Sequence, residues 1–366
     1  MVIILDKKEF ADAVASVARF AQRTSASLPV LAGIAIIAGD DGIKLRATNL
    51  ETGIDLSLSG TIKETGVVAL PASVLREITA SLTGTGPLTL EQSGSTVTVT
   101  TGTGTSTLKT LPYEDFPVLP LPESPKVSFS LPGAVLRSLI ISVAGYASVS
   151  TVRPELASVY LRAEGGNLIA VATDSFRLAE KKISLSDSIP PFTMLIPAKN
   201  ALDIVQTIPD TQVEVALDDH QCSFSWKGGL VTTRLVSANY PDYAQIIPKE
   251  SVGEAKLLKK DLEAALKRTA VFSDAFQKIK VGFDVKGKCI TLSSQNSDVG
   301  ESSESVPGSL QGESVDLSFN HRYLSAPLSS LSSESITLSA SGIGRAMILR
   351  GAGDASFLYL VMPMNQ

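Results

Sequence analysis

His220 and His321 are the only histidines, and Cys222 and Cys289 the only cysteines. These are the side chains best suited to proton transfer, nucleophilic attack or soft-metal binding near neutral pH. Neither histidine stands near a serine or cysteine in a nucleophile context. A metal centre needs His or Cys at helix or turn spacing, and that spacing is absent. Gly102-x-Gly104 lacks the lysine and the following helix of a phosphate-cradling loop. Asp218-Asp219 lies beside a hairpin signal and Asp40-Asp41 precedes Gly42, so both pairs read as solvated turns. Trp226, the single tryptophan, reads as a packing or half-exposed hairpin residue. The chain therefore reads as a protein without catalysis, cofactor or metal.

What positions its residues is a threefold internal repeat. An apolar strand runs into a helix start at Val68-Ala69-Leu70-Pro71-Ala72, at Met194-Leu195-Ile196-Pro197-Ala198 and at Val315-Asp316-Leu317-Ser318-Phe319-Asn320. Residues 71, 197 and 320 are 126 and 123 apart. A second landmark, small residues before a polar turn, occurs as Ala47-Thr48-Asn49, Ala172-Thr173-Asp174 and Ser294-Gln295-Asn296, at separations of 125 and 122. Two landmarks on one period divide the 366 residues into three similar domains.

Each repeat carries two short helical patterns: 6–21 and 71–82, 132–147 and 197–208, 259–273 and the stretch opened by Asn320. Pro71 suits a first-turn position and Asn320 an N-cap. Pro327 removes a backbone donor to the carbonyl of Tyr323, which predicts a kink or an early end in the last helix. Between the helices, alternating runs such as 96–100, 213–217 and 336–339 read as antiparallel strands separated by Gly-rich turns. The fold class is thus α+β, with two helices of each domain packed on antiparallel sheet. Leu119-Pro120-Leu121-Pro122-Glu123-Ser124-Pro125 is a stiff linker and 247–253 a second one, giving domains 1–125, 126–249 and 250–366. Segments 102–107 and 300–312 read as Ser/Thr/Gly-rich loops.

Hydrophobic content of 44% against 19% charged residues supports ordinary buried cores. Two cysteines in different repeats make no disulfide framework and read as reduced, packed thiols. The apolar start, Met1 to Leu5, runs into Asp6-Lys7-Lys8 and is too short for a signal-peptide core. No stretch reaches membrane-spanning length, so a cytoplasmic protein with no membrane partner is expected. The net charge of −5 argues against a uniformly basic nucleic-acid binder. Its distribution says more. Counting Arg23 just past the first, the helical stretches hold twelve basic and seven acidic residues, a surplus of five, and leave the strands and loops strongly acidic. Helix surfaces favour Lys and Arg in any case, but the split also suits a wall with one face toward a polyanion and the other repelling it.

Residues 172–179 (Ala-Thr-Asp-Ser-Phe-Arg-Leu-Ala), Asn239-Tyr240-Pro241-Asp242-Tyr243, Asn320-His321-Arg322-Tyr323-Leu324 and the terminal Tyr359-Leu360-Val361-Met362-Pro363-Met364 stand in an order that resembles the bacterial sliding clamps, the beta subunits of DNA polymerase III. Arg153 to Val159 is a weaker match. The resemblance spans all three repeats. It implies a head-to-tail homodimer whose domains close into a ring around duplex DNA, helices inside and sheets outside. Such a ring tethers the polymerase without sequence preference or enzymatic activity. Residues facing DNA would be Arg23, Arg76, Arg137, Lys199, Lys267, Arg268 and Arg322. A groove for short linear motifs of polymerase, clamp loader and repair proteins would use Thr173, Ser175, Phe176, Arg177, Leu178, Pro241, Gln245, Ile246, Phe276, Asn320, Tyr323, Leu360, Val361, Met362, Pro363 and Met364. Ser106 and Leu108 would face Val271 and Phe272 across the dimer interface.

The chain departs from the family pattern in places. Phe176 stands where histidine is common, Ala244 and Gln245 where basic residues are common, and Asn365-Gln366 replaces a basic-apolar ending. The loop from Arg23 to Pro29 is two residues longer than usual. Two other classes of function remain at this stage: a monomeric peptide-binding scaffold that has lost the ring, and an enzyme on a repeated α+β frame.

Overall fold

The computed structural model describes residues 1–22, 28–185 and 189–364. Its six helices are α1 (Lys7–Val17), α2 (Ala72–Ala80), α3 (Gly133–Ala144), α4 (Ala198–Val205), α5 (Lys259–Ala270) and α6 (His321–Ser325). They fall two per repeat, each shorter than the sequence pattern. Asp6 caps α1 by accepting from the N–H groups of Lys8 and Glu9. Pro71 is the last residue of its strand and the cap of α2, one position earlier than expected, because its φ of −56° suits the strand-to-helix corner. The last helix ends early, as expected from Pro327: α6 stops at Ser325 and a 3₁₀ turn, Ala326–Ser329, takes over.

The strands form three antiparallel sheets of five, eight and twelve members among the described residues. Contacts divide the chain into two compact units, residues 1–138 with 199–237 and residues 139–198 with 238–366. This division cuts through the middle repeat. The reason lies in the ladders. In the first unit the eight-stranded sheet pairs Gly229–Arg234, last strand of the middle repeat, with Thr52–Leu58 of the first. In the second unit the twelve-stranded sheet pairs Phe357–Val361, last strand of the third repeat, with Arg177–Ser184 of the middle one. Each half of the middle repeat thus shares a sheet with a neighbour.

Two expected loops are strands. Gly104–Lys109 pairs with Thr96–Thr101 and forms one edge of the five-stranded sheet. Gly300–Gly312 is a single strand of 13 residues. Its first part pairs with Cys289–Asn296 and its last part with Gly253–Leu258. Ser and Gly have poor intrinsic strand preference, but partner strands and the burial of Val306 decide the outcome.

The repeat is visible atom by atom at its polar turns. Thr48 Oγ1 donates to Thr52 O, Asn49 Oδ1 accepts from the N–H groups of Glu51 and Thr52, and Leu50 adopts φ +74°. Thr173 Oγ1 donates to Arg177 O, Asp174 Oδ1 accepts from Phe176 and Arg177 N–H, and Ser175 adopts φ +78°. The Thr-Asx pair builds the same turn in both places. Asn296 keeps a reduced form of it, accepting from Asp298 N–H.

Candidate peptide groove and basic helix faces

The end of the ladder between Arg177–Ser184 and Phe357–Val361 gathers most of the predicted groove residues. Arg177 lies opposite Val361 and Leu178 opposite Leu360. Beyond the ladder, Met362 N–H donates to Phe176 O at 2.8 Å and Met364 N–H to Ser318 O at 2.7 Å. The segment Met362-Pro363-Met364 therefore bridges the polar turn to the strand that feeds α6. Asn320 caps α6 through Oδ1 to Arg322 N–H, and its Nδ2 donates to Phe276 O.

Leu178, Leu360 and Val361 are buried and form a floor. Tyr243 packs in the same cluster as Leu178 and Leu360, which holds the neighbouring Pro241 and the 3₁₀ turn Tyr243–Ile246 at this end of the sheet. Its hydroxyl donates to Glu180 Oε2 at 2.5 Å. Burial raises the pKa of Tyr243, and the bond to Glu180 acts in the same direction. Around the floor, Phe176, Ile246, Phe276 and Met362 expose apolar side chains. Such a concentration on an otherwise polar surface marks an interaction site.

Within this set the roles differ. Thr173 is buried and shapes the turn rather than the surface. Gln245 donates to Asp242 Oδ2 at 2.8 Å. Asn365 and Gln366 lie outside the described residues.

Sequence reading missed the groove's supports. Arg177 is sandwiched, with its guanidinium carbon 5.3 Å from the ring centre of Tyr146 and 4.7 Å from that of Tyr323. Its Nε donates to Asp174 Oδ2 at 2.9 Å. Burial works against the charged guanidinium, but the Asp174 and Tyr359 interactions raise its pKa. Phe176 stacks with Tyr323, the ring centres 6.4 Å apart and the planes 24° from parallel. Tyr359 donates from its hydroxyl to Tyr323 O at 2.7 Å and packs on Tyr146. Asp174 was legible as a turn residue, whereas Tyr146 carries no sequence signal because its partners are distant in the chain. Ile343 is a further exposed apolar residue of this unit that sequence reading passed over.

The basic candidates separate by what already holds them. Arg76 and Arg322 carry no ion pair among the described residues. Arg76 lines a depression between α1 and α2 with Lys7, Lys8 and Asp12, and those two lysines were absent from the predicted set. Lys199 and Lys267 pair at i,i+4 with Asp203 and Glu263 but stay exposed, and pairs of this kind yield readily to a stronger anion. Arg268 grips Glu304 with two bonds, 2.9 and 2.6 Å. Arg137 is committed inward: it donates to Val205 O and Ile208 O past the end of α4 and pairs with Asp210. Three of its five N–H donors are engaged around the end of α4, so it is less free than the other candidates. Arg23 lies outside the described residues.

The interface candidates sit on a sheet edge that is free among the described residues and in the turn after α5. Ser106 and Leu108 lie on the edge strand Gly104–Lys109, Ser106 exposed and Leu108 buried. Val271 and Phe272 follow α5, Val271 exposed and Phe272 beside Gly300 at the start of the long strand. Cys222 is buried, Cys289 half-buried, and both are free thiols. Burial pushes the Cys222 thiol up, out of reach of nucleophilic use at neutral pH. Among the described residues no helix is long and apolar enough to cross a membrane.

Comparison with known proteins gives three consecutive family matches: the N-terminal, central and C-terminal domains of the DNA polymerase III beta subunit, at residues 1–120, 130–242 and 244–365. The beta sliding clamp of Synechococcus elongatus is 28% identical over 346 residues, covering 92% of each chain. The beta subunit of Thermotoga maritima superposes with a TM-score of 0.93 at 21% identity, covering 100% of this chain and 99% of that one. The sliding clamp of Pseudomonas aeruginosa, in a structure bound to griselimycin, superposes at 0.92 with 24% identity over the whole of both chains. With all three family domains matched in order, the chain belongs to the bacterial sliding clamps, the non-catalytic processivity subunits of DNA polymerase III.

Proposed function

We propose that two copies of this chain join head to tail into a closed ring around duplex DNA in the cytoplasm, with domains bounded at residues 125 and 249. The observation that carries this is a repeated seam with one member left open. The last strand of the middle repeat pairs with Thr52–Leu58, and the last strand of the third pairs with Arg177–Ser184. The last strand of the first repeat, Gly104–Lys109, has a free edge, and so has the first part of Gly300–Gly312, which matches Thr52–Leu58 and Arg177–Ser184. A second copy completes the series. Carrying over the register, in which Thr233 meets Thr52 and Val361 meets Arg177, sets Leu108 opposite Gly300 of the partner subunit and Ser106 opposite Ser302 of the partner subunit. Val271 and Phe272 then add apolar contact beside the new ladder. Such a head-to-tail interface builds a ring when its rotation closes.

Arg23, Arg76, Arg137, Lys199, Lys267, Arg268 and Arg322 face the DNA backbone in this ring. Contacts to phosphate alone weaken with salt and carry no sequence information, which suits sliding. Retention comes from topology. The groove around Phe176, Tyr323 and Met362 takes a short apolar motif from polymerase, clamp loader or repair proteins, a mode in which few buried anchors dominate. Met362 and Met364 suit several partners because thioethers repack easily. The griselimycin held by the Pseudomonas aeruginosa relative supports a ligand-taking surface on this fold.

The test is retention on nicked circular DNA at elevated salt after loading, before and after linearising the circle. Retention on circles with loss from cut DNA is expected. Equal loss from both would overturn the ring and favour the monomeric scaffold.

A further inference from the structure

Tyr146 follows α3, is buried, and belongs to neither the basic faces nor the apolar rim. Its hydroxyl lies 3.2 Å from both Ala326 O and Ser330 Oγ, in the turns after α6. One side of its ring meets Tyr359 at 5.1 Å between centroids, and the Arg177 guanidinium lies 5.3 Å from its centre. Tyr146, Arg177, Tyr323 and Phe176 thus form one continuous stack, from a buried phenol to an exposed phenyl ring. Exposure rises along it: Tyr146 is buried, Arg177 and Tyr323 are half-buried, and Phe176 is exposed. Asp174 and a long bond to Gly145 O at 3.5 Å hold the guanidinium, and the rings of Tyr146 and Tyr323 confine it further.

We propose that Tyr146 is a positioning residue for peptide docking: it acts through Arg177 to hold Tyr323 and Phe176 in the geometry that receives an apolar anchor. This rests on the groove reading above. The chemistry is a half-buried cation in contact with two aromatic rings, an interaction that helps fix a wall before any partner arrives. A preformed wall spares the partner the entropy of ordering it, and affinity rises accordingly. The hydroxyl bonds orient the ring, but the aromatic face does the holding. Phenylalanine at this position should therefore serve almost as well as tyrosine, and leucine should not.

The experiment uses the full-length protein and a fluorescein-labelled peptide with leucine and phenylalanine anchors, read by anisotropy. Tyr146→Phe is expected to bind within about twofold of the wild type, and Tyr146→Leu about tenfold more weakly. In an Arg177→Met background the leucine substitution should cost nothing further, since its route of action is gone. Asp174→Asn, which loosens Arg177 from the other side without removing a ring, should also weaken binding and serves if Tyr146→Leu does not fold. Wild-type affinity in both Tyr146→Leu and Asp174→Asn would overturn the inference. So would a leucine effect that persists undiminished without Arg177. Failure of the wild type itself to bind any such peptide would overturn the groove reading, and is distinguished by that control alone.

Discussion

His321 follows the Asn320 cap, and its Nε2 lies 2.6 Å from Gln277 Oε1 while its main-chain N–H donates to Gln277 O. Burial, and then the charge of Arg322, hold its imidazole below the usual range. The unfolded chain therefore takes up a proton at this site before the folded one does. The stability this residue contributes is whole above about pH 6.5 and is lost as pH falls through the lower folded value. Between pH 7.5 and 5.5 the wild type should lose more thermal stability than His321→Gln, measured as melting temperatures in parallel. Equal losses would contradict the assignment. At this scale the sequence was informative wherever a residue acts on near neighbours. Asn320 as a cap, Thr173-Asp174 as a turn and Pro327 as a stop are local and were legible. Tyr146 and the inward use of Arg137 depend on residues far along the chain, where spacing says nothing.

At the scale of elements, the start of α3 shows how closely this helix packs on the turn after α4 within the middle repeat. Gly133 opens α3, and a Cβ there would run into Pro209 O, a backbone atom that cannot step aside as a side chain can. Gly133→Ala is expected to destabilise the protein by about 1–3 kcal/mol, visible as a lower midpoint in urea with an unchanged slope. The repeats also differ at the proposed docking site. Gly53 stands where the later repeat has Leu178, and a Cβ on it would meet Leu119 Cδ2 at 2.5 Å. The connector leaving the first repeat thus covers the floor that the groove leaves for a partner. The helices and the α+β class were readable from periodicity. The strand Gly300–Gly312 was not, because its Ser- and Gly-rich sequence carries little apolar alternation and its partners supply the order.

For the whole molecule, the proposed ring would close on the one kind of seam that has no covalent connector across it. Val271 is exposed at the end of α5, one residue before Phe272, which lies beside Gly300. Val271→Glu places a charge in the proposed apolar contact, which costs far more across a buried seam than on a free surface. The expected outcome is a monomer by sedimentation velocity that still binds the labelled peptide, since every groove residue lies in one unit of a single chain. A variant that remains dimeric would remove Val271 from the seam. The sequence announced three domains through its period, and the family matches follow the same division. It could not announce that the sheets run through those divisions, because strand partners are chosen by tertiary contact.

The middle repeat, then, owns no body of its own: residues 126–138 and 199–237 belong to one compact unit and the remainder to the other. Recombination between relatives has to respect this. A crossover at the first connector divides only the ladder at Gly229–Arg234 between parents, and one at the second connector divides only the ladder at Arg177–Ser184. A crossover between these strands, at a solvent-facing hairpin such as Trp226–Gly229, divides both ladders at once. No single cut between the strands Thr52–Leu58 and Phe357–Val361 leaves both ladders with one parent, so what this clamp must inherit together is larger than one repeat.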